Sequence, residues 1–488
     1  MLDLAVFERD AETFCRASER ERYLHDAGLK PTLDLAPLFA DFEYLFHPDA
    51  YGEILETEVE PRPKRYLLDF VASGYLEEKT KDFDERLAAA EAALEVEWDE
   101  RAVPYRMVPV LLANEPDAHR RHELDARYRA AMARLRPLYE ERLRTTLEAL
   151  GGIGSSDYVA LFDELRDLHY ADLTEAGQAF LAATDTAYFG ALEELLGTIE
   201  LAPSDAAKCD LAWLFRARQF DPYFPPKSML FKLYRTLRGV GLDVEQATNI
   251  HVDVEARALK SPRAFCARLD IPRDVRLVLQ PTGGRLDYGA LFHEAGHALH
   301  YANVDRTLPF PDRWLGDSSV TEGYAFLFEH LLTDPNWVRP FLDVERPQDY
   351  LRLAYFERLY LLRRYATKLL YERALYTADD YDALAQSYAE LFTRTLGVEY
   401  GPEPFLADVD PALYAAVYVR AWVFEAQLRQ YLKNEYDEEW FRVPRAGRFL
   451  RDLWREGQRH PVDELARYMG YSGLDFRLIT EELRAGVA

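Results

Sequence analysis

The sequence predicts a mainly α-helical protein with one small β-sheet set just before a histidine-bearing helix. Three observations carry this expectation. Apolar residues recur at three- and four-residue steps through most of the first 200 positions. The same period resumes at Asp287 and holds almost to the end of the chain. Between these regions lies a single clear strand signal, RAFCARLDIPRDVRLVLQPTGG (263–284), in which two short apolar runs flank Pro272 and Asp274. With 488 residues, 49% hydrophobic and 30% charged, the chain can bury a sizeable core.

In chain order, KDFDERLAAAEAALEVEWDERA (81–102) is rich in strong helix formers and keeps the helical period. DAHRRHELDARYRAAMARLRPLYEERLRTTLEALGGIG (117–154) reads as one long helix closed by Gly151 and Gly152. The composition breaks at LAPSDAAKCD (201–210) and again at the proline-rich FDPYFPPKSM (220–229). These breaks suggest a helical wall or scaffold over 1–205 and a chemistry-bearing part over 206–488. The strand pair follows, and Asp287 is a reasonable N-cap for the next helix.

Bulk chemistry narrows the function. A formal net charge of −26 repels phosphate backbones and argues against nucleic-acid binding. The opening stretch MLDLAVFERDAETFC is interrupted by charge too early for a secretion signal. No run of about 18 apolar residues reads as a membrane span. Three widely spaced cysteines, Cys15, Cys209 and Cys266, with no CxxC, suit a reducing cytoplasm better than a disulfide framework.

LFHEAGHALH (291–300) carries the chemistry. On a helix, His293 and His297 lie one turn apart on one face, so their rings can converge on one ion. Glu294 is rotated by about 100° from them, beside the ion's open position, where a general base belongs. Two imidazoles do not complete a catalytic zinc site, which takes a third protein ligand and leaves one position for water. GDSSVTEGYAFLFEHLL (316–332) reads as a second helix opening with Glu322, 25 positions after His297, and supplies a carboxylate. Ser319 and Glu322 also form a capping-box pattern, the competing role for that glutamate. Glu329, seven residues on, is placed to orient a histidine from behind. His300 and His330 are expected to pack or bond locally.

These residues resemble the thimet oligopeptidase and oligoendopeptidase F family of zinc metallopeptidases. That family's pattern is HExGHALH, a glutamate 25 positions after the second histidine, and another seven further on. His293, Glu294, Gly296, His297, His300, Glu322 and Glu329 occupy those places. KSPRAFC (260–266), YAAVYVRAW (414–422) and LRDLWREGQRHPVDELARYMGYSG (450–473) resemble other family stretches. The resemblance implies a helical, bundle-like two-part architecture around a deep substrate channel, one zinc ion at its floor, and short peptides as substrates. It also implies catalytic roles for Tyr414 and Tyr418. Where the family usually has a histidine five residues before the first of these tyrosines, this chain has Val409, and its third tyrosine position carries Ala421. The carboxypeptidase Taq family is the runner-up, but its third glutamate follows a histidine in a HESQS-like stretch, whereas Thr321 precedes Glu322 here.

The expected activity is therefore peptide-bond hydrolysis. Zinc held by His293, His297 and Glu322 polarises water and the scissile carbonyl. Glu294 takes the water's proton and passes it to the leaving amine, and Tyr418, with Tyr414, donates to the oxyanion. DVRLVLQ (274–280) is expected to offer an edge strand to an extended peptide. Two rivals remain: a zinc-containing peptide-binding protein with weakened catalysis, and a helical scaffold with an accidental HExxH.

Overall fold

The computed structural model describes residues 2–488. Helices dominate, and the described strands form two small sheets, one of two strands and one of three. No helix among the described residues is long and apolar enough to cross a membrane. All three cysteines are free thiols.

The fold is mainly α, as the periodicity predicts, but two helices end earlier than expected. The helix Pro61–Ala93 gives way to Glu95–Trp98 (β1) and Arg101–Pro104 (β2), an antiparallel hairpin. Val96 and Trp98 are buried while Glu95 and Glu97 are exposed, so the segment alternates with the period of a strand. Asp99 and Glu100 both take positive φ, 52° and 58°, which suits a tight two-residue hairpin turn. The stretch 117–154 is two helices, Ala118–Ala133 and Arg136–Ala149. Pro137 explains the break, since proline fits the first turn of a new helix but not the interior of an old one. A 3-10 turn over Leu150–Ile153 follows, and its left-handed cap is Gly154 rather than Gly151 or Gly152.

Contacts group the chain into two units, each assembled from several segments. The first comprises Met1–Val71, Arg218–Leu351 and Arg420–Ile479; the second comprises Ala72–Ala217, Arg352–Val419 and Thr480–Ala488. This partition is interleaved along the chain, whereas the composition break suggests a single boundary at 205. The helix Leu4–Asp26 (α1) belongs to the first unit through an aromatic cluster. Phe14 packs edge-on against Phe39, Phe46 and Phe70, and Phe70 meets Phe310. Glu12 on α1 also takes a two-pronged salt bridge from Arg313, both contacts at 2.8 Å.

The first unit's sheet contains Ile250–Asp253 (β3), Phe265–Asp270 (β4) and Asp274–Val278 (β5), in the order β3–β5–β4. The β4–β5 hairpin matches the expected strand pair, and β3 adds a parallel strand on the other side of β5. β5 is therefore central, with Val275, Leu277 and Val278 buried. This corrects the expectation that 274–280 offers a free edge; the edges belong to β3 and β4.

After the sheet, Arg285–Asn303 forms α2, with Gly284 as its N-cap. Asp287, expected as the cap, instead reaches back to accept the backbone N–H groups of Thr282 and Gly283 at 2.7 and 2.8 Å. Ser318–Glu329 forms α3. The two helices cross at Gly296, where an added Cβ would stand 2.5 Å from the Ala325 Cα. Only a residue without a side chain permits so close an approach, and that approach brings α3 to the histidine face of α2.

Candidate metal centre

His293 and His297 present their Nε2 atoms from α2, and Glu322 answers from α3. Glu322 Oε2 stands 3.4 Å from His293 Nε2 and 3.8 Å from His297 Nε2. The three residues each offer a ligand atom within 4.8 Å of the others. A tetrahedral ion with bonds of about 2.1 Å sets its ligands roughly 3.4 Å apart, so the spacing fits one such ion after small movements.

The other ring nitrogens are engaged too. His293 Nδ1 lies 2.8 Å from Glu329 Oε2, and His297 Nδ1 lies 2.8 Å from Thr321 Oγ1. Phe326 packs edge-on against the His293 ring at 4.9 Å, and the Tyr301 ring lies nearly parallel to that of His297. Both imidazoles are thus fixed in rotation as well as position.

Glu322 does not cap its helix. Asp317 is the N-cap, accepting from the Ser319 N–H at 2.9 Å, and α3 starts at Ser318, which places Glu322 in the second turn rather than at the opening. Asp317 is in turn held by Arg420 at 3.0 Å and by the Val462 N–H at 3.2 Å. Arg420 lies in the helix Tyr414–Glu435 (α4), in the part that belongs to the first unit.

Electrostatics separate the three acid–base groups. Burial disfavours a charge on His293, but its hydrogen bonds to Glu322 and Glu329 win and raise its pKa well above the imidazole range. His297 is buried and pushed down to about 4, despite the pull of Glu322. Glu294 is pushed up to about 7 by burial, with the charge of Glu322 adding to the rise. His293 and a hydrogen bond from the Cys266 backbone oppose that rise. A cation between these groups would take over the role of the His293 proton.

β4 is an outer strand of its sheet, and the Cys266 backbone lies near the Glu294 carboxylate. The support from Thr321 was not foreseeable from motif spacing, because it depends on how separate elements pack.

His300 and His330 bond locally, as expected: His300 Nε2 to the Gly457 carbonyl at 3.3 Å, and His330 Nδ1 to Glu425 at 2.8 Å. Tyr414 and Tyr418 lie in the second unit, at the start of α4, and both are partly exposed among buried neighbours. Tyr418 stacks on Tyr365 at 4.9 Å and meets Tyr414 edge-on at 5.0 Å. Just before them, Ala412 and Leu413 hold positive φ, strain of a kind that collects at functional sites. The Ala412 N–H donates to the Tyr158 hydroxyl and its carbonyl accepts from Tyr170, which clamps the turn. Val409 and Tyr414 line a cavity of about 770 Å³ within this unit.

A second group, His122, Cys209 and Asp210, also has metal-ligand spacing. Its carboxylate is already saturated: Arg121 holds Oδ1 at 2.7 and 2.9 Å, while His122 and the Ala207 N–H hold Oδ2. Burial also pushes the Cys209 thiol far above its usual range. This cluster is a buried charge knot and a poor cation site.

No protein-family model matches this chain, and no curated protein matches it.

Proposed function

We propose that this protein is a zinc-dependent metallopeptidase that hydrolyses peptide bonds in short, unfolded peptides. The observation that carries the reading is the convergence of His293, His297 and Glu322, with both histidines braced from behind and Glu294 beside them. Two imidazoles and a carboxylate are a donor set suited to catalytic zinc, and three protein ligands leave a position open. The resemblance of HEAGHALH, Glu322 and Glu329 to thimet oligopeptidase and oligoendopeptidase F points the same way.

When bound, zinc supplies Lewis acidity toward water and the scissile carbonyl. The chain's own residues do the rest. Glu294, with a pKa of about 7 before any metal binds, is poised to accept a proton from the attacking water and return it to the leaving amine. β4, an outer strand of the sheet, is the one beside which an extended peptide would pair through its backbone, a pairing that tolerates many sequences. The resemblance assigns oxyanion donation to Tyr418 and Tyr414.

Val409, in the place of a family histidine, favours a second reading: a zinc-containing peptide-binding protein with weakened turnover. Hydrolysis of an internally quenched peptide of roughly 5–20 residues decides between them, a length suited to strand addition in a cleft. The peptidase reading expects cleavage that a chelator abolishes and added zinc restores. Tight peptide binding with no cleavage supports the second reading, and the absence of bound metal removes both.

A further inference from the structure

We infer that Thr321 is a positioning residue that holds His297 in the tautomer with its proton on Nδ1, leaving Nε2 free to face Glu322 and His293. The inference deepens the metallopeptidase reading and rests on it for its consequence, though not for its geometry.

The two candidate histidine ligands are braced by different chemistry. His293 Nδ1 meets a carboxylate, Glu329, whereas His297 Nδ1 meets a neutral hydroxyl, Thr321 Oγ1, each at 2.8 Å. Both braces come from α3, which also carries Glu322. Glu322 and Glu329 are seven residues apart, close to two full turns, so they share a face; Thr321 is one residue back and rotated by about 100°. One helix thus presents a ligand and both supports to the two histidines of α2. Its placement is fixed by the Gly296 crossing and by the Asp317 cap.

The Thr321 hydroxyl carries lone pairs that can accept, and its single O–H can rotate away from the ring. An Nδ1–H donor on His297 satisfies that acceptor. The opposite tautomer would place a proton on Nε2, whose distance to Glu322 Oε2 is 3.8 Å, too long for a hydrogen bond. Thr321 and His297 are both buried, so an unmade bond here costs more than at the surface. The Tyr301 ring lies nearly parallel to that of His297, with centroids 6.1 Å apart, and Tyr301 also interacts with Thr321.

A neutral brace has a consequence for the ligand set. A carboxylate behind each histidine would add negative charge to both; here only one is so charged, which leaves a bound cation less neutralised and more strongly electrophilic.

The test is the tautomer of His297, read by nitrogen-15 NMR of histidine-labelled protein at pH 8 without metal, and zinc affinity measured in parallel. Thr321→Val keeps the shape and removes the acceptor; Thr321→Ser keeps the acceptor. The expected result is Nδ1–H in the wild type and the serine variant, with loss of that preference in the valine variant. Zinc affinity should fall 10- to 100-fold in Thr321→Val and recover in Thr321→Ser. An unchanged tautomer in Thr321→Val, or lower thermal stability with unchanged zinc affinity, would make Thr321 a packing residue and overturn the inference. If the wild type binds no zinc, the metallopeptidase reading falls while the tautomer comparison still decides the role of Thr321.

Discussion

Replacing Glu322 by alanine separates a metal ligand from a helix cap. Zinc bound by a full set of protein ligands is worth about 10–16 kcal/mol, so one ligand in such a set contributes roughly 3–4 kcal/mol. Glu322→Ala should therefore weaken zinc binding by about 100- to 1,000-fold. Its effect on helix stability should be small, because Asp317 makes the cap and Glu322 lies one turn further in. Asp317→Ala is the matched control. It removes a cap worth about 1 kcal/mol. It also takes one of two carboxylates from the buried Arg420, leaving Asp463 at 2.8 Å. That variant should melt well below the wild type yet keep its ligands. Competition with a chromophoric chelator gives the affinities, and thermal unfolding without metal gives the stabilities. Zinc affinity within about tenfold of wild type in Glu322→Ala, less than a ligand's share, would refute the assignment.

Three further outcomes are expected, two from the same geometry and the third from the role that the resemblance assigns to Tyr418. Folding raises the Glu294 pKa from 4.5 to about 7, so between those values the folded chain keeps a proton that the unfolded chain has released. Stability from this group is present below pH 4.5 and lost as pH rises through 7, by up to about 3 kcal/mol. Glu294→Gln should consequently stabilise metal-free protein at pH 8 and not at pH 4, as read by denaturant unfolding; equal effects at both pH values would contradict the burial argument. Gly296→Ala forces a Cβ against the Ala325 backbone, which should cost about 1–3 kcal/mol and lower zinc affinity together; a variant as stable as wild type would show that the crossing has slack. Tyr418→Phe should leave folding and zinc content intact and reduce kcat by roughly 100-fold with little change in KM. A loss of thermal stability alone would return Tyr418 to a packing role.

Much of the site was legible in the sequence because it depends on helical spacing. A four-residue step puts His293 and His297 on one face, and Glu322 and Glu329 keep a seven-residue step, so each pair's geometry follows from the helix itself. What the sequence concealed depends on contacts between elements. β1 spans four residues, too few for its alternation to outweigh the strong helix formers before it. β3 is equally short and pairs parallel to a strand more than twenty residues away, so no local turn announces it. The central position of β5 follows from that pairing, which leaves β3 and β4 as the outer strands. Asp317 displaced Ser319 as the cap because Arg420 and Val462, distant in sequence, hold its carboxylate. Thr321 is silent in any motif until the crossing at Gly296 brings it to His297.

The most direct test of the central claim is the rate of peptide hydrolysis by Glu294→Gln at measured zinc content. The substitution keeps size and polarity but removes the proton acceptor. The account predicts one zinc per chain in both proteins, with cleavage of a short quenched peptide by the wild type and a fall of at least about 100-fold in the variant. Wild-type rates in a zinc-loaded Glu294→Gln protein would contradict it.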